Sequence, residues 1–201
     1  QVTAPANIDT IQLSPEGRRV AVTTNARVTD LSDVWVVDLS DEVANKLNAD
    51  NPYWDGYGIW SPDGSRIIFS SGRVGHPLSM YQQFSNGNGK AELLLQNGSA
   101  PRDWHGDYIL FRRFAALNEH NLWVLPMSGD RTPKPYLPLS RFMPLQAQVS
   151  PNGRYLAYVT AESGTNQVVV QTFSDPKKGK WQITASGGIE PRWRGDGREL
   201  F

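Results

Sequence analysis

Trp60-Ser61-Pro62-Asp63-Gly64-Ser65-Arg66-Ile67-Ile68-Phe69 is the stretch that decides the fold. Its first half is a turn: Pro presets φ at the first central position, and Gly takes the positive φ that other residues resist. Its second half is a short apolar run rich in β-branched residues, the pattern of a strand. The same unit recurs at Ser14-Pro15-Glu16-Gly17, at Ser150-Pro151-Asn152-Gly153 and, worn, at Arg194-Gly195-Asp196-Gly197.

Spacing converts the turn into an architecture. Pro62 follows Pro15 by 47 residues and Gly195 follows Pro151 by 44, while the 89 from Pro62 to Pro151 make two such periods. A degenerate copy near the middle of that gap, Trp104-His105-Gly106-Asp107-Tyr108-Ile109-Leu110-Phe111, keeps the Trp and the strand on a shorter turn. A period of about 40–50 residues that holds only strand signals marks a β-propeller blade. Each repeat divides into four short strands; in the second these are 57–61, 66–71, 79–85 and 91–96, the last pair joined by Asn86-Gly87-Asn88-Gly89. Third strands recur around Trp35, Trp123 and Val169, and several are apolar on both sides, as blades stacked between blades require.

The expectation is an all-β propeller of four-stranded antiparallel blades, at 8–48, 55–96, 99–139 and 145–184, with an incomplete fifth at 189–201. The chain of 201 residues holds about 4.5 such repeats, so 1–201 reads as one partial propeller domain, a fragment of a six- to eight-bladed ring. An open ring leaves strand edges and apolar faces uncovered. Further blades, or self-association through the terminal blades, would cover them.

Composition narrows the function classes. Twenty Lys+Arg balance 20 Asp+Glu; no broad basic field favours nucleic acid. No apolar run approaches the roughly 20 residues of a membrane helix, so no membrane insertion is expected. There is no Cys, hence no disulfide or thiolate metal site. Nucleophile-elbow, zincin, phosphate-loop and kinase motifs are all missing, so neither catalysis nor a cofactor is expected.

The repeated Trp-Ser-Pro-Asp-Gly-Ser-Arg-Ile-Ile-Phe unit resembles the repeats of TolB-like propellers, which also occur in prolyl-oligopeptidase-type peptidases. Asp9-Thr10-Ile11-Gln12-Leu13-Ser14-Pro15, Ser85-Asn86-Gly87-Asn88-Gly89-Lys90-Ala91-Glu92-Leu93-Leu94-Leu95 and Gly179-Lys180-Trp181-Gln182-Ile183-Thr184 are similar to carboxy-terminal propellers of bacterial regulatory proteins. The resemblance implies a non-catalytic scaffold for a protein or peptide partner, such as the sensor domain of a larger protein, in a periplasmic or extracytoplasmic setting. The alternative it implies is the gating propeller of a serine peptidase whose catalytic domain lies elsewhere.

The candidate partner-binding residues are Trp54, Tyr57, His76, Arg113, His120 and Phe142. Trp54 and Tyr57 come from an aromatic loop between blades, where rigidly held aromatics favour recognition, although capping of the core explains them as well. His76 and His120 fall between second and third strands of adjacent blades, and Arg113 and Phe142 lead into the same loop face. A two-His metal site there would need Glu119 or Glu162 as well, and no metal is expected. His105 reads as a solvated turn residue. Lys177, Lys178 and Lys180 read as a solvated outer hairpin. Gln12, Asp103, Gln148 and Arg192 share one position beside the inner-strand Trp, suited to lining a channel or to bonding between blades.

Overall fold

The computed structural model describes residues 7–24, 32–73, 76–97, 99–114, 120–137 and 146–201, with the side chains of 76, 77, 99, 114, 120 and 121 left aside. Among these residues there is no helix, and the strands form four antiparallel four-stranded sheets, each built from consecutive strands, the blades of a β-propeller. The first is β1 (Ile8–Leu13), β2 (Arg19–Thr24), β3 (Val34–Asp38) and β4 (Ala44–Lys46); the second is β5 (Asp55–Trp60), β6 (Arg66–Arg73), β7 (His76–Phe84) and β8 (Glu92–Leu95). The third is β9 (Ser99–His105), β10 (Tyr108–Phe114), β11 (His120–Pro126) and β12 (Lys134–Leu137); the fourth is β13 (Ala147–Val149), β14 (Tyr155–Thr160), β15 (Gln167–Thr172) and β16 (Lys180–Gln182). Beyond them Trp193 bridges Leu200 antiparallel, the opening of the fifth repeat. The chain divides into two compact units, Gln1–Pro101 and Arg102–Phe201.

The recurring turn is one structure made four times. In the second blade Gly64 N donates to Ser61 O, Ser61 N donates to Arg66 O, and Arg66 N donates back to Ser61 Oγ. Ser14 with Gly17 and Arg19, and Ser150 with Gly153 and Tyr155, repeat all three bonds, and Arg194 with Gly197 and Glu199 repeats the two backbone ones. Asp63 completes its copy by accepting from Ser61 Oγ and Ser65, bonds that hold its carboxyl down at about 2. These turns join first strand to second, as their place in the repeat requires.

Within each unit the core forms where two blades meet. In the first, Ala21, Val34, Val36 and Leu47 pack with Trp60, Ile67 and Phe69. In the second, Leu110 and Leu122 pack with Ala147, Val149, Leu156, Tyr158 and Val169. Polar seams close the same joints. Arg19 stacks over the Trp60 ring at 4.8 Å while its Nη groups donate to Gly64 O and Ser85 Oγ.

The shared position beside the inner-strand Trp proves to be a joint between blades. Asp103 Oδ2 accepts from Val149 N at 2.7 Å, and Gln148 Oε1 accepts from Trp193 N at 2.8 Å. Large apolar side chains remain exposed on β1, at Ile11 and Leu13, in the turn after β3, at Leu39, and near the carboxyl end, at Trp181, Ile183 and Phe201.

Candidate functional site

Trp54, just ahead of β5, meets Tyr57, which lies within that leading strand of the second blade. The approach to that strand is fixed by a buried polar knot: Asp55, 1% exposed, accepts from Asn48 Nδ2 and Asn51 Nδ2, each at 2.9 Å, and Asn51 Nδ2 also reaches Ser71 Oγ. Burial pushes the Asp55 carboxyl up to about 6, against the hydrogen bonds from Ser71, Asn48 and Asn51 that oppose the rise. Backbone bonds seat the strand on both sides, Asp55 N to Ser32 O and Gly72 N to Trp54 O.

A bulge then interrupts the ladder between Gly56 and Ile59, and Tyr57 occupies it with φ 56°, a left-handed value that is costly for an aromatic residue. The Trp54 ring lies over Gly56, where a Cβ would come within 2.5 Å of it. Only glycine leaves room for that contact. The two rings sit 5.4 Å apart, tilted by 59°, and both side chains are half-buried. The result is an aromatic pair fixed in direction and still reachable from solvent, the arrangement in which aromatics contribute most to recognition.

The other expected residues fall as follows. His76 and His120 open the third strands β7 and β11 instead of lying in the loops before them, opposite Arg73 and Phe114 respectively. Antiparallel pairing simply extends further toward the loop than the turn-like residues around them suggest. Arg113 lies in β10 with its guanidinium 5.0 Å over the Trp123 ring, a stacking that orients it. Phe142 and Glu119 lie outside the described residues. Trp54, Tyr57 and His76 belong to the first unit; Arg113 and His120 belong to the second.

Glu162 forms an ion pair with Lys180 at 3.2 Å, which engages it otherwise than as a metal ligand. Among the described residues no three His, Asp or Glu side chains gather to hold a metal. His105 is not a solvated turn residue: it ends β9 half-buried, with burial lowering its pKa, and its Nε2 stands 2.9 Å from where a Cβ on Gly153 would be.

Two cavities were not foreseen. One of about 500 Å³ in the second unit is lined by His105, Tyr108, Val124, Tyr136 and Phe173, with Tyr136 donating its hydroxyl to Phe173 O. The other, of about 310 Å³, lies in the first unit under the 47–51 turn. Arg73 and Gln83, which line it, are distant in sequence from that turn and carry no motif.

No family model and no curated protein matches the chain. Solved structures do. A putative TolB from Agrobacterium tumefaciens aligns with a TM-score of 0.80 at 16% identity over 98% of this chain and 69% of its own. TolB from Acinetobacter baumannii aligns at 0.72 and 18% identity over 96% of this chain and 47% of its own. Prolyl oligopeptidase B from Galerina marginata aligns at 0.67 and 11% identity, over 96% of this chain and 29% of its own. The chain therefore shares the TolB-like β-propeller fold, and it spans less than half the length of two of these three proteins.

Proposed function

We propose that this chain is a non-catalytic recognition scaffold that holds a protein or peptide partner through the surface centred on Trp54 and Tyr57. The observation that carries the reading is the structural expense at that pair. A left-handed Tyr and an obligatory Gly56 keep two aromatic rings half-exposed, where an ordinary strand would have paired through. His76, in the same unit, extends the surface in this reading, Arg113 and His120 are further candidate contacts carried by the second unit, and residues 1–201 act as one propeller domain. A sensor role within a larger bacterial regulatory protein, in a periplasmic or extracytoplasmic compartment, accords with the TolB-like fold.

The test is selection of displayed peptides against the 201-residue chain, followed by titration of the winners. Trp54→Ala and Tyr57→Ala should each weaken binding by about tenfold or more, the effect of losing an aromatic anchor, with the melting transition nearly in place. Peptides that bind Trp54→Ala as well as the parent chain would overturn the reading. The likeness to prolyl oligopeptidase B favours a second one, the gating propeller of a peptidase. A catalytic α/β domain in the full-length protein would decide for it. Turnover of a chromogenic peptide or ester by the 201 residues alone, lost on one substitution, would defeat both.

A further inference from the structure

The cavity of about 310 Å³ in the first unit has the makings of a ligand site independent of the aromatic surface. Its walls are the 47–51 turn, the hairpin around Gly87 and Gly89, and Arg73 from the end of β6. Three cationic side chains, Lys46, Arg73 and Lys90, line it against one carboxylate, Asp50. Lys46 is shared with Asp33 at 2.8 Å, so among the described residues Arg73 and Lys90 supply the charge that no carboxylate pairs. Asp55 stands behind the turn, turned to Asn48 and Asn51, with its carboxyl shifted toward the neutral form by burial.

The walls are pinned to each other. Gln83 accepts from Asn48 N at 2.8 Å through Oε1, and its Nε2 donates to Gly87 O and Gly89 O, which ties turn to hairpin across the cavity floor. Arg73 is fixed as well: its guanidinium lies 4.6 Å over the Tyr81 ring, and Nε donates to Tyr81 Oη at 3.0 Å. A guanidinium stacked on one face and held at Nε presents its Nη edge in a set direction, the geometry that binds a planar or tetrahedral oxyanion through two parallel hydrogen bonds. A cation held in this way costs little further ordering when a ligand arrives.

We infer that this cavity binds a small oxyanion, a carboxylate or a phosphate ester, on Arg73 and Lys90. Its volume of about 310 Å³ lies at the small end of the range for small-molecule pockets, which suits a metabolite-sized solute more than a polymer.

Isothermal titration of the 201-residue chain with malate, glycerol 3-phosphate and glycerol tests it. One of the two anions should bind in the micromolar to millimolar range, and whichever binds identifies the oxyanion; glycerol should not bind. Arg73→Gln and Lys90→Gln should each weaken that binding about tenfold, as loss of a charge-assisted hydrogen bond does. Lys90 is exposed, so its variant keeps the fold even if Arg73→Gln does not, and Lys177→Gln, on the hairpin that follows β15 in the second unit, should leave affinity unchanged. Failure of both anions to bind, or equal affinity in Lys90→Gln and the parent, would overturn the inference. Neither result bears on Trp54 and its peptide partner.

Discussion

Trp60 donates its indole Nε1–H to the backbone carbonyl of Gln12 at 3.0 Å, so the inner strand of one blade is latched by the first strand of the next. Trp193 repeats the bond on Gln148 O at 3.1 Å. Trp60→Phe should keep most of the packing and lose the latch, at about 1 kcal/mol. Trp60→Ala should cost about 3–5 kcal/mol. Urea denaturation of both variants checks the gap between them. Trp54→Ala, from a half-buried site outside the core clusters, should cost well under the Trp60→Ala loss, and equal losses would place Trp54 in the core.

Gly17 and Gly153 make the same turn with φ of 73° and 69°, yet they differ in surroundings. A Cβ at Gly17 meets nothing within 4 Å, whereas one at Gly153 comes 2.9 Å from His105 Nε2. Gly17→Ala should therefore cost only the left-handed backbone penalty, about 1–2 kcal/mol, and Gly153→Ala more. In the His105→Ala background the Gly153→Ala cost should fall toward that of Gly17→Ala, a coupling that a double-mutant cycle measures directly.

Asp103 and Asp55 give stability an acid-favoring component. Burial pushes Asp103 up to about 7, with the Val149 and Trp104 amides and the Arg192 charge acting the other way. Burial likewise pushes Asp55 up to about 6 against the hydrogen bonds from Ser71, Asn48 and Asn51, and the like charge of Asp33 adds to the rise. A carboxyl whose folded pKa exceeds its ordinary 3.8 holds its proton more firmly in the native state. Its contribution is thus full below about pH 4 and is lost as pH rises to about 7 for Asp103 and about 6 for Asp55. Asp103→Asn should flatten the parent's stability profile across that window, and Asp55→Asn should do so over the lower part of it. Denaturant midpoints measured at intervals from about pH 4 to pH 8 would show it; a variant profile parallel to the parent's would refute the assignment.

Exposed Ile11 and Leu13 on β1, with Leu39 in the turn after β3, should make the 201 residues associate as concentration rises. Sedimentation velocity should show the weight-average mass climbing above the 22.4 kDa of the single chain. Replacing Ile11 and Leu13 by Thr, which suits a solvated strand face, should shift the population back toward monomer. A compact monomer across the whole concentration range would contradict the expectation.

The blades were legible in the sequence because a turn closed within five residues writes its own hydrogen bonds: Ser61, Gly64 and Arg66 satisfy one another without help from elsewhere. The aromatic loop at Trp54 was legible for a related reason, being off the repeat. What its ring covers was not, since Gly56 under Trp54 and the left-handed Tyr57 follow from a bulge that no periodicity announces. Trp104 shares the repeat position of Trp60 and Trp193, yet its indole bonds Gly106 O in its own, shorter turn. The cavity was invisible altogether, because Arg73, Gln83 and the 47–51 turn come together only through the pairing of β6 with β7 and the packing of two blades.

The indole latch also has a direction. Trp60 and Trp193 each secure the blade that precedes them, so on the ribosome the sheet ending at β4 stays unfastened until Trp60 has emerged, and the sheet ending at β16 waits for Trp193. For these two blades fastening thus trails synthesis by roughly one repeat, and each passes through an interval in which its inner edge is open to whatever chaperone or neighbouring chain is near.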